Sequence, residues 1–161
     1  MKQKVDHPIP PVIDERSHTL ILGSFPSMLS REAAFFYGHP QNRFWRVLSA
    51  VLGREVPTTV EEKRDLLLSE GIALWDVIGS CEIKGSADSS ITGVVPNDLV
   101  PLLTTAPIRR IFVNGKTAKR YYDLYQKKIL GIDAVCLPST SPANASYSLE
   151  RLITEWSVIR S

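Results

Sequence analysis

Four short apolar segments alternate with stretches of helical periodicity, and this alternation is the strongest constraint on the fold. The predicted strands are Thr19–Gly23, Ile72–Ile78, Arg110–Asn114 and Ala134–Leu137. Continuous apolar runs of this length are typical of strands buried on both faces. Strands that alternate with helices favour a parallel sheet covered by helices on both sides. The sequence therefore predicts one α/β domain over residues 1–161, a three-layer α/β/α sandwich around a four-stranded, mostly parallel sheet.

The remaining segments divide into helices, an extended start and one polar stretch. Helices are predicted over 30–36, 42–52, from Thr58 or Thr59 to just before Gly71, over Pro96–Leu103, 117–127 and 149–159. Residues 1–17 are rich in proline and charge, which predicts an extended N-terminal lead-in. Gly79–Thr92 has too few apolar residues for a core element, and long ordered loops of this kind tend to carry function.

Composition favours an ordinary globular protein in a reducing compartment. The chain is 43% hydrophobic and 22% charged, no segment is long enough to cross a membrane, and the N-terminus has no signal peptide. Cys81 and Cys136 are interpreted as reduced thiols, which favours the cytoplasm. The net charge of +2 permits a polyanionic partner without requiring one.

Two unusual loops are expected at the same edge of the sheet. Right-handed crossovers place the carboxyl ends of all parallel strands together, and ligands bind at that edge. Residues 23–43 and 138–146 each follow an apolar strand. The first loop contains Phe35, Phe36, Tyr37, His39 and Asn42, a combination suited to holding a planar, hydrogen-bonding ring. Asn42 and His39 also have alternative roles, since Asn42 could cap a helix and His39 could bond to a loop carbonyl.

Several kinds of chemistry find no signature in the chain. There is no Gly-x-Gly-x-x-Gly or lysine-containing phosphate loop, and no Gly-x-Ser-x-Gly elbow. The histidines His7, His18 and His39 are scattered, which disfavours a metal centre. We therefore expect neither a cofactor nor a metal.

Four stretches of the chain resemble the uracil-DNA glycosylase superfamily. Gly23-Ser-Phe-Pro-Ser27 and His39-Pro-Gln-Asn-Arg-Phe-Trp45 are similar to its first motif region, and the second of them is very similar to that of the mismatch-specific uracil glycosylases. The serine form of the first stretch resembles the hypoxanthine-DNA (deoxyinosine) glycosylase branch. Leu137-Pro-Ser-Thr-Ser-Pro-Ala-Asn144 resembles that branch's second motif, and Val113-Asn-Gly-Lys-Thr-Ala118 the strand-turn-helix before it. The resemblance spans about residues 18–160.

Two departures from the superfamily pattern shape the expected chemistry. Phe25 stands where other members have the asparagine that positions water, and the hypoxanthine branch implies that Asn42 takes over this role. Leu137 stands where efficient uracil enzymes have a histidine that supports the departing base, so strong uracil excision is not expected. The iron–sulfur cluster of some relatives is not expected either, because the chain has only two cysteines.

The resemblance implies a DNA glycosylase that flips a deaminated base out of the helix, cleaves its N-glycosidic bond and leaves an abasic site. Hypoxanthine is the first expectation and uracil opposite guanine the second. Asn42 and Ser24 are expected to be catalytic. The predicted base-binding residues are Gly23, Phe25, Pro26, Tyr37, His39, Ser86 and Asp88. Tyr37 is the first choice for stacking on the base and Phe25 the second.

The predicted DNA-binding residues are Lys116, Ser139, Thr140, Ser141 and Asn144, with Asn144 as the wedge. The expected partner is double-stranded DNA, single-stranded DNA is left open, no membrane is expected, and the protein is expected to be a monomer. Two alternatives remain at this point. One is a hydrolase of free nucleosides, and the other is a damaged-DNA binding module without catalysis.

Overall fold

A computed structural model describes residues 2–160, so Met1 and Ser161 of the expected domain lie outside the described residues. The strands are β1 Gln3–Asp6, β2 Thr19–Gly23, β3 Ile72–Asp76, β4 Ile78–Ile83, β5 Thr92–Pro96, β6 Arg110–Asn114 and β7 Ala134–Leu137. The helices are α1 Met28–Ala33, α2 Phe44–Leu52, α3 Val60–Ser69, α4 Val100–Thr105, α5 Lys116–Tyr125, α6 Lys127–Leu130 and α7 Leu149–Trp156. Short 3₁₀ turns cover 88–90 and 157–160. Within residues 2–160, no helix has the length and apolar character that a bilayer crossing needs.

The central sheet confirms the predicted sandwich. Its order is β3-β2-β6-β7, and every neighbouring pair is parallel. All residues of β2 are buried, and they alternate between two apolar clusters, with Leu20 and Leu22 in one and Ile21 in the other. α2, α3 and α7 cover the Ile21 face, whereas α4, α5 and a second sheet cover the opposite face.

The second sheet is the main error of the sequence-based assignment. The predicted strand through Ile78 ends at Asp76, and the chain turns into β4 of an antiparallel sheet with the order β1-β4-β5. The prediction of no core element within Gly79–Thr92 is wrong, since β4 buries Cys81 and Ile83. Register shifts between β4 and β5 disrupt the strict alternation of apolar residues, so the strand pattern is hidden in the sequence.

The ends of the second sheet also differ from the predictions. Residues 3–6 are extended, but they pair with β4, and Val12 forms a bridge with Leu74 of the central sheet. The N-terminal lead-in therefore joins both sheets. Pro96 does not open a helix. It ends β5, an edge strand where a missing N–H breaks no ladder, and α4 begins at Val100.

Helix ends follow the capping signals closely where a side chain can supply the bond. Thr59 and Glu62 form a capping box at the start of α3, and Ser148 caps α7. Gly53 ends α2 in the left-handed conformation. Other predicted helix boundaries also shift. α1 runs over 28–33, α2 begins at Phe44, and the helix predicted over 117–127 covers 116–125 before a separate short α6. The last helix, predicted over 149–159, ends at Trp156 and continues as a 3₁₀ turn.

Candidate active site

The carboxyl edge of the central sheet brings together the two loops that the topology predicts there. Gly23 ends β2, Asp76 ends β3 and Asn114 ends β6. The hydroxyl of Thr140, in the loop after β7, donates to Oδ1 of Asn42 at 2.9 Å, although the two residues are 98 positions apart. The residues gathered at this edge are called the rim cluster. They are Gly23 and the polar residues Ser24, Tyr37, Asn42, Asp76, Asp88, Asn114 and Thr140.

Asn42 is oriented by the start of α2. Its Oδ1 accepts from the Phe44 N–H at 3.0 Å, as well as from Thr140, which occupies both lone pairs of the oxygen. The backbone donor identifies the oxygen, because an N–H can only face an acceptor. Within residues 2–160, no protein acceptor bonds to the Asn42 amide nitrogen. The NH₂ group is therefore the part of Asn42 that a ligand or water can reach.

Asn114 fixes the direction of this hydrogen-bond network. Its Nδ2 donates to the Thr140 hydroxyl at 3.0 Å and to the Tyr37 hydroxyl at 3.2 Å, and its Oδ1 accepts from the Thr140 N–H at 3.1 Å. Thr140 Oγ1 therefore accepts from Asn114 and donates to Asn42. Asn114 was not among the residues predicted to form the site. A polar residue at the carboxyl end of a buried strand was the available signal.

Tyr37 is held in an uncommon backbone conformation. Its φ of 53° lies in the left-handed region, which costs energy for a residue other than glycine. Its ring stacks on Phe44 with centroids 4.0 Å apart. Burial raises the pKa of Tyr37 far above its ordinary value, and the charge of Asp76 adds to this. Tyr37 is therefore a neutral phenol.

Gly23 lies at the tightest point of the rim cluster. A Cβ on this residue would collide with the Asp76 carboxylate and would stand 2.8 Å from the Tyr37 hydroxyl oxygen. The glycine is thus required for close approach, which is the functional alternative to a simple turn.

Ser24 and Asp88 form the second polar contact of the rim cluster. Ser24 Oγ lies 3.2 Å and 3.1 Å from the two carboxylate oxygens of Asp88, to which it donates. Burial raises the pKa of Asp88, the Ser24 bond lowers it and the charge of Asp76 raises it, for a net increase. Asp88 also keeps exposed surface, so a ligand can approach it.

The polar segment that contains Asp88 reaches the rim, as expected from its position after β3. Ser86 Oγ accepts from the Met28 N–H at 2.9 Å, and Arg31 donates to the Gly85 carbonyl at 2.7 Å. These bonds attach the segment to the start of α1. Ser86, predicted to bind the base, is thus engaged with the backbone of α1.

Arg43 fastens the loop after β7 to the start of α2. Its guanidinium donates to the carbonyls of Ser141 and Asn144, both at 3.1 Å, and to that of Tyr147. These three carbonyl bonds make Arg43 the anchor of this loop.

The predicted DNA-binding residues differ in what they expose. Thr140 is fully buried, which does not fit contact with DNA. The Asn144 side chain folds back to donate to the Ser139 carbonyl at 2.9 Å, which does not fit a projecting wedge. Ser139 and Ser141 accept backbone N–H groups and keep their hydroxyl protons available. Lys116 is exposed at the start of α5 and forms no ion pair among residues 2–160.

The other predicted base-binding residues lie around the rim cluster. Phe25 is only 8% exposed and packs edge-to-face on His7, while Pro26 is also buried. His39 accepts the Gln41 N–H through Nδ1 at 3.1 Å, so it orders its own loop. A surface depression of about 370 Å³ lies at the opposite edge of the sheet, beside His18 and Gly71, and contains none of these residues.

Comparisons with known proteins cover nearly the whole chain. The sequence profile of the Uracil DNA glycosylase superfamily matches residues 10–158. A hypoxanthine DNA glycosylase of Methanosarcina acetivorans is 36% identical over 152 residues, which are 93% of this chain and 94% of that protein. A hypoxanthine DNA glycosylase of Methanosarcina barkeri is 34% identical over 84% of this chain and 85% of its own length. The solution NMR structure of a candidate uracil DNA glycosylase from M. acetivorans superposes with a TM-score of 0.83, at 34% identity over 98% of this chain and 96% of that one.

Proposed function

Because the chain belongs to the uracil DNA glycosylase superfamily, we propose that it is a DNA glycosylase that hydrolyses the N-glycosidic bond of deaminated bases, hypoxanthine above all, and leaves an abasic site. The similar hypoxanthine DNA glycosylases of two Methanosarcina species support this choice of base. The observation that carries the proposal is the Asn42–Thr140 hydrogen bond, since it brings the two motif loops together at the ligand-binding edge of the sheet.

Asn42 has the role of holding the attacking water. Its oxygen is occupied by Phe44 and Thr140, so the NH₂ group donates to the water and leaves a lone pair for attack on the sugar. An amide does not titrate and cannot be a strong base. Orientation of the water without a strong base suffices when the glycosidic bond is largely broken before the water adds, because the oxocarbenium-like sugar is a strong electrophile. The proton released by the water passes to solvent.

Asp88 has the role of assisting departure of the base. Its raised pKa increases the fraction of neutral acid over that of an ordinary aspartate, and this acid can donate a proton to N7 of a purine as the N9–C1′ electron pair leaves with the base. Ser24 holds the carboxyl group in place, and the second motif has Leu137 where a histidine would serve uracil. Tyr37 has the role of stacking on the base, and Gly23, Phe25, Pro26 and His39 form the surrounding wall.

We assign double-stranded DNA as the substrate, bound by a monomer in the cytoplasm. Flipping the base costs a few kcal/mol, and least for a mispaired base such as hypoxanthine opposite thymine. The hydroxyls of Ser139 and Ser141 and the ammonium of Lys116 are suited to contacts with phosphates. The two free cysteines, Cys81 and Cys136, accord with a reducing compartment.

The test is release of the base from defined DNA. Purified protein is incubated with duplexes that carry hypoxanthine, uracil or xanthine, and abasic sites are detected as alkali-labile breaks. We expect breaks at hypoxanthine, and their loss in Asn42→Ala with the fold retained. Hydrolysis of free inosine without breaks in DNA would instead indicate a nucleoside hydrolase. Salt-dependent binding to the duplex without breaks would indicate a binding module.

A further inference from the structure

A histidine from the N-terminal segment is buried against the rim cluster. His7 follows β1, and its Nε2 lies 2.7 Å from Oδ2 of Asp76, with 2% of the His7 side chain and 5% of the Asp76 side chain exposed. The Ile9 N–H donates to Nδ1 of His7 at 3.2 Å. Nδ1 is therefore the acceptor and Nε2 carries the proton that it donates to Asp76. The residues are 69 positions apart, and in the sequence His7 is only one of three scattered histidines.

The ring of His7 is locked by aromatic neighbours. It makes edge-to-face contacts with Phe25 and Trp75, both with centroids 5.8 Å apart. Its backbone N–H donates to the Gly79 carbonyl at 2.7 Å, which joins it to β4. His7 can therefore hold Asp76 in one position, because neither its ring nor its backbone is free to move.

Asp76 directs its second oxygen toward the base-binding wall. It pairs with Gly23 in the β2–β3 register, and Oδ1 occupies the space above the Gly23 Cα. A Cβ built on Gly23 would lie 2.8 Å from the Tyr37 hydroxyl oxygen and closer still to Asp76 Oδ1, so both oxygens face Gly23 on the same side. The charge of Asp76 also contributes to raising the pKa of Asp88, so the two carboxylates are within electrostatic range of each other. A buried, fixed anion therefore lies beneath the residues that would hold the flipped base.

A fixed anion at this place treats two classes of leaving base differently. A purine such as hypoxanthine can take a proton at N7 while the N9–C1′ electron pair leaves with it, so it departs neutral. Uracil has no such basic ring nitrogen and departs as an anion with the N1–C1′ electron pair. In both cases water supplies hydroxide to C1′, and its remaining proton goes to solvent. A nearby negative charge opposes only the anionic departure.

We propose that the His7–Asp76 pair determines base specificity: His7 positions a negative charge beneath the base site, which favours bases that leave neutral over bases that leave as anions. The inference rests on the proposed function and extends it to the discrimination between hypoxanthine and uracil. His7 is a positioning residue, since it acts through Asp76.

The experiment measures single-turnover excision of hypoxanthine and of uracil, from otherwise identical duplexes, by the full chain. Asp76→Asn keeps the shape and removes the charge, so the ratio of hypoxanthine to uracil rates should fall at least about tenfold. His7→Phe removes the donor that holds the Asp76 carboxylate in place, so the charge is no longer fixed beneath the base site and the ratio should fall in the same direction. His7→Gln restores a donor to Asp76 and should restore the ratio. His18→Gln, at the far edge of the sheet, is the matched control and should keep the wild-type ratio.

The ratio separates specificity from a purely structural role. If the variants slow both bases equally, or if Asp76→Asn keeps the wild-type ratio, the inference is overturned while the glycosylase activity stands. If the wild-type protein releases neither base, the proposed function and this inference fall together. Should Asp76→Asn fail to fold, the contrast between His7→Phe and His7→Gln decides, because equal ratios in those two variants would reject the proposal.

Discussion

Thr140→Val tests whether the buried hydroxyl orients Asn42. Valine keeps the shape of the side chain but removes a hydroxyl that donates to Asn42 at 2.9 Å and accepts from Asn114 at 3.0 Å. Each such bond contributes about 0.5–1.5 kcal/mol net, so the free energy of unfolding should fall by about 2 kcal/mol. For a chain of 161 residues this lowers Tm by about 4–8 °C.

The effect on catalysis should exceed the effect on stability. Without Thr140 Oγ1, Asn42 keeps only the Phe44 N–H as a donor to its oxygen, so its NH₂ group can leave the position that holds water. Small misplacements of this kind cost up to about 100-fold in rate, and we expect a 10- to 100-fold fall in single-turnover excision. The affinity for DNA should be unchanged, because Thr140 is fully buried.

Thr140→Ser is the matched control for this variant. It keeps the hydroxyl and loses one methyl group, so excision should stay within a few-fold of the wild type while stability falls slightly. Assays well below the Tm of both variants separate rate from unfolding. Undiminished excision by Thr140→Val would refute the orienting role. A loss of DNA affinity at unchanged salt dependence would instead return Thr140 to the predicted DNA contacts, since its hydroxyl is uncharged.

Three further predictions address other parts of the site. Hypoxanthine excision should be full below the raised pKa of Asp88 and fall as pH rises through it, and Asp88→Asn should abolish this dependence. The folded state binds the Asp88 proton more tightly than the unfolded state, so above this pKa the Asp88→Asn variant should unfold at a higher temperature than the wild type. Excision rates and melting curves measured over a pH series check both outcomes. Gly23→Ala should lose most activity because its Cβ collides with the Asp76 carboxylate, and near wild-type rates would show that this contact can relax. Lys116→Ala should weaken duplex binding equally for all bases and reduce the slope of log K against log salt by about 0.9, whereas an unchanged slope would remove Lys116 from the interface.

The sequence alone identified the central sheet because its signals are local. Four apolar runs and the helical periodicity between them report burial directly, and parallel connectivity then places all carboxyl ends at one edge. The meeting of the 23–43 and 138–146 loops follows from that topology. Capping residues such as Thr59 and Ser148 were predictable for the same reason, since their bonds reach only three residues along the chain.

The second sheet and the partners within the rim cluster were decided by tertiary structure. β4 escapes detection because its register shifts break the alternation that marks a strand. The bonds of His7 to Asp76 and of Thr140 to Asn42 join residues 69 and 98 positions apart, and no local pattern specifies them. Sequence therefore determined which chemical groups reach the edge of the sheet. Only the folded chain decided which of these groups is buried, which is hydrogen-bonded and which is exposed. These states depend on distances between residues far apart in the sequence, and tertiary packing sets those distances.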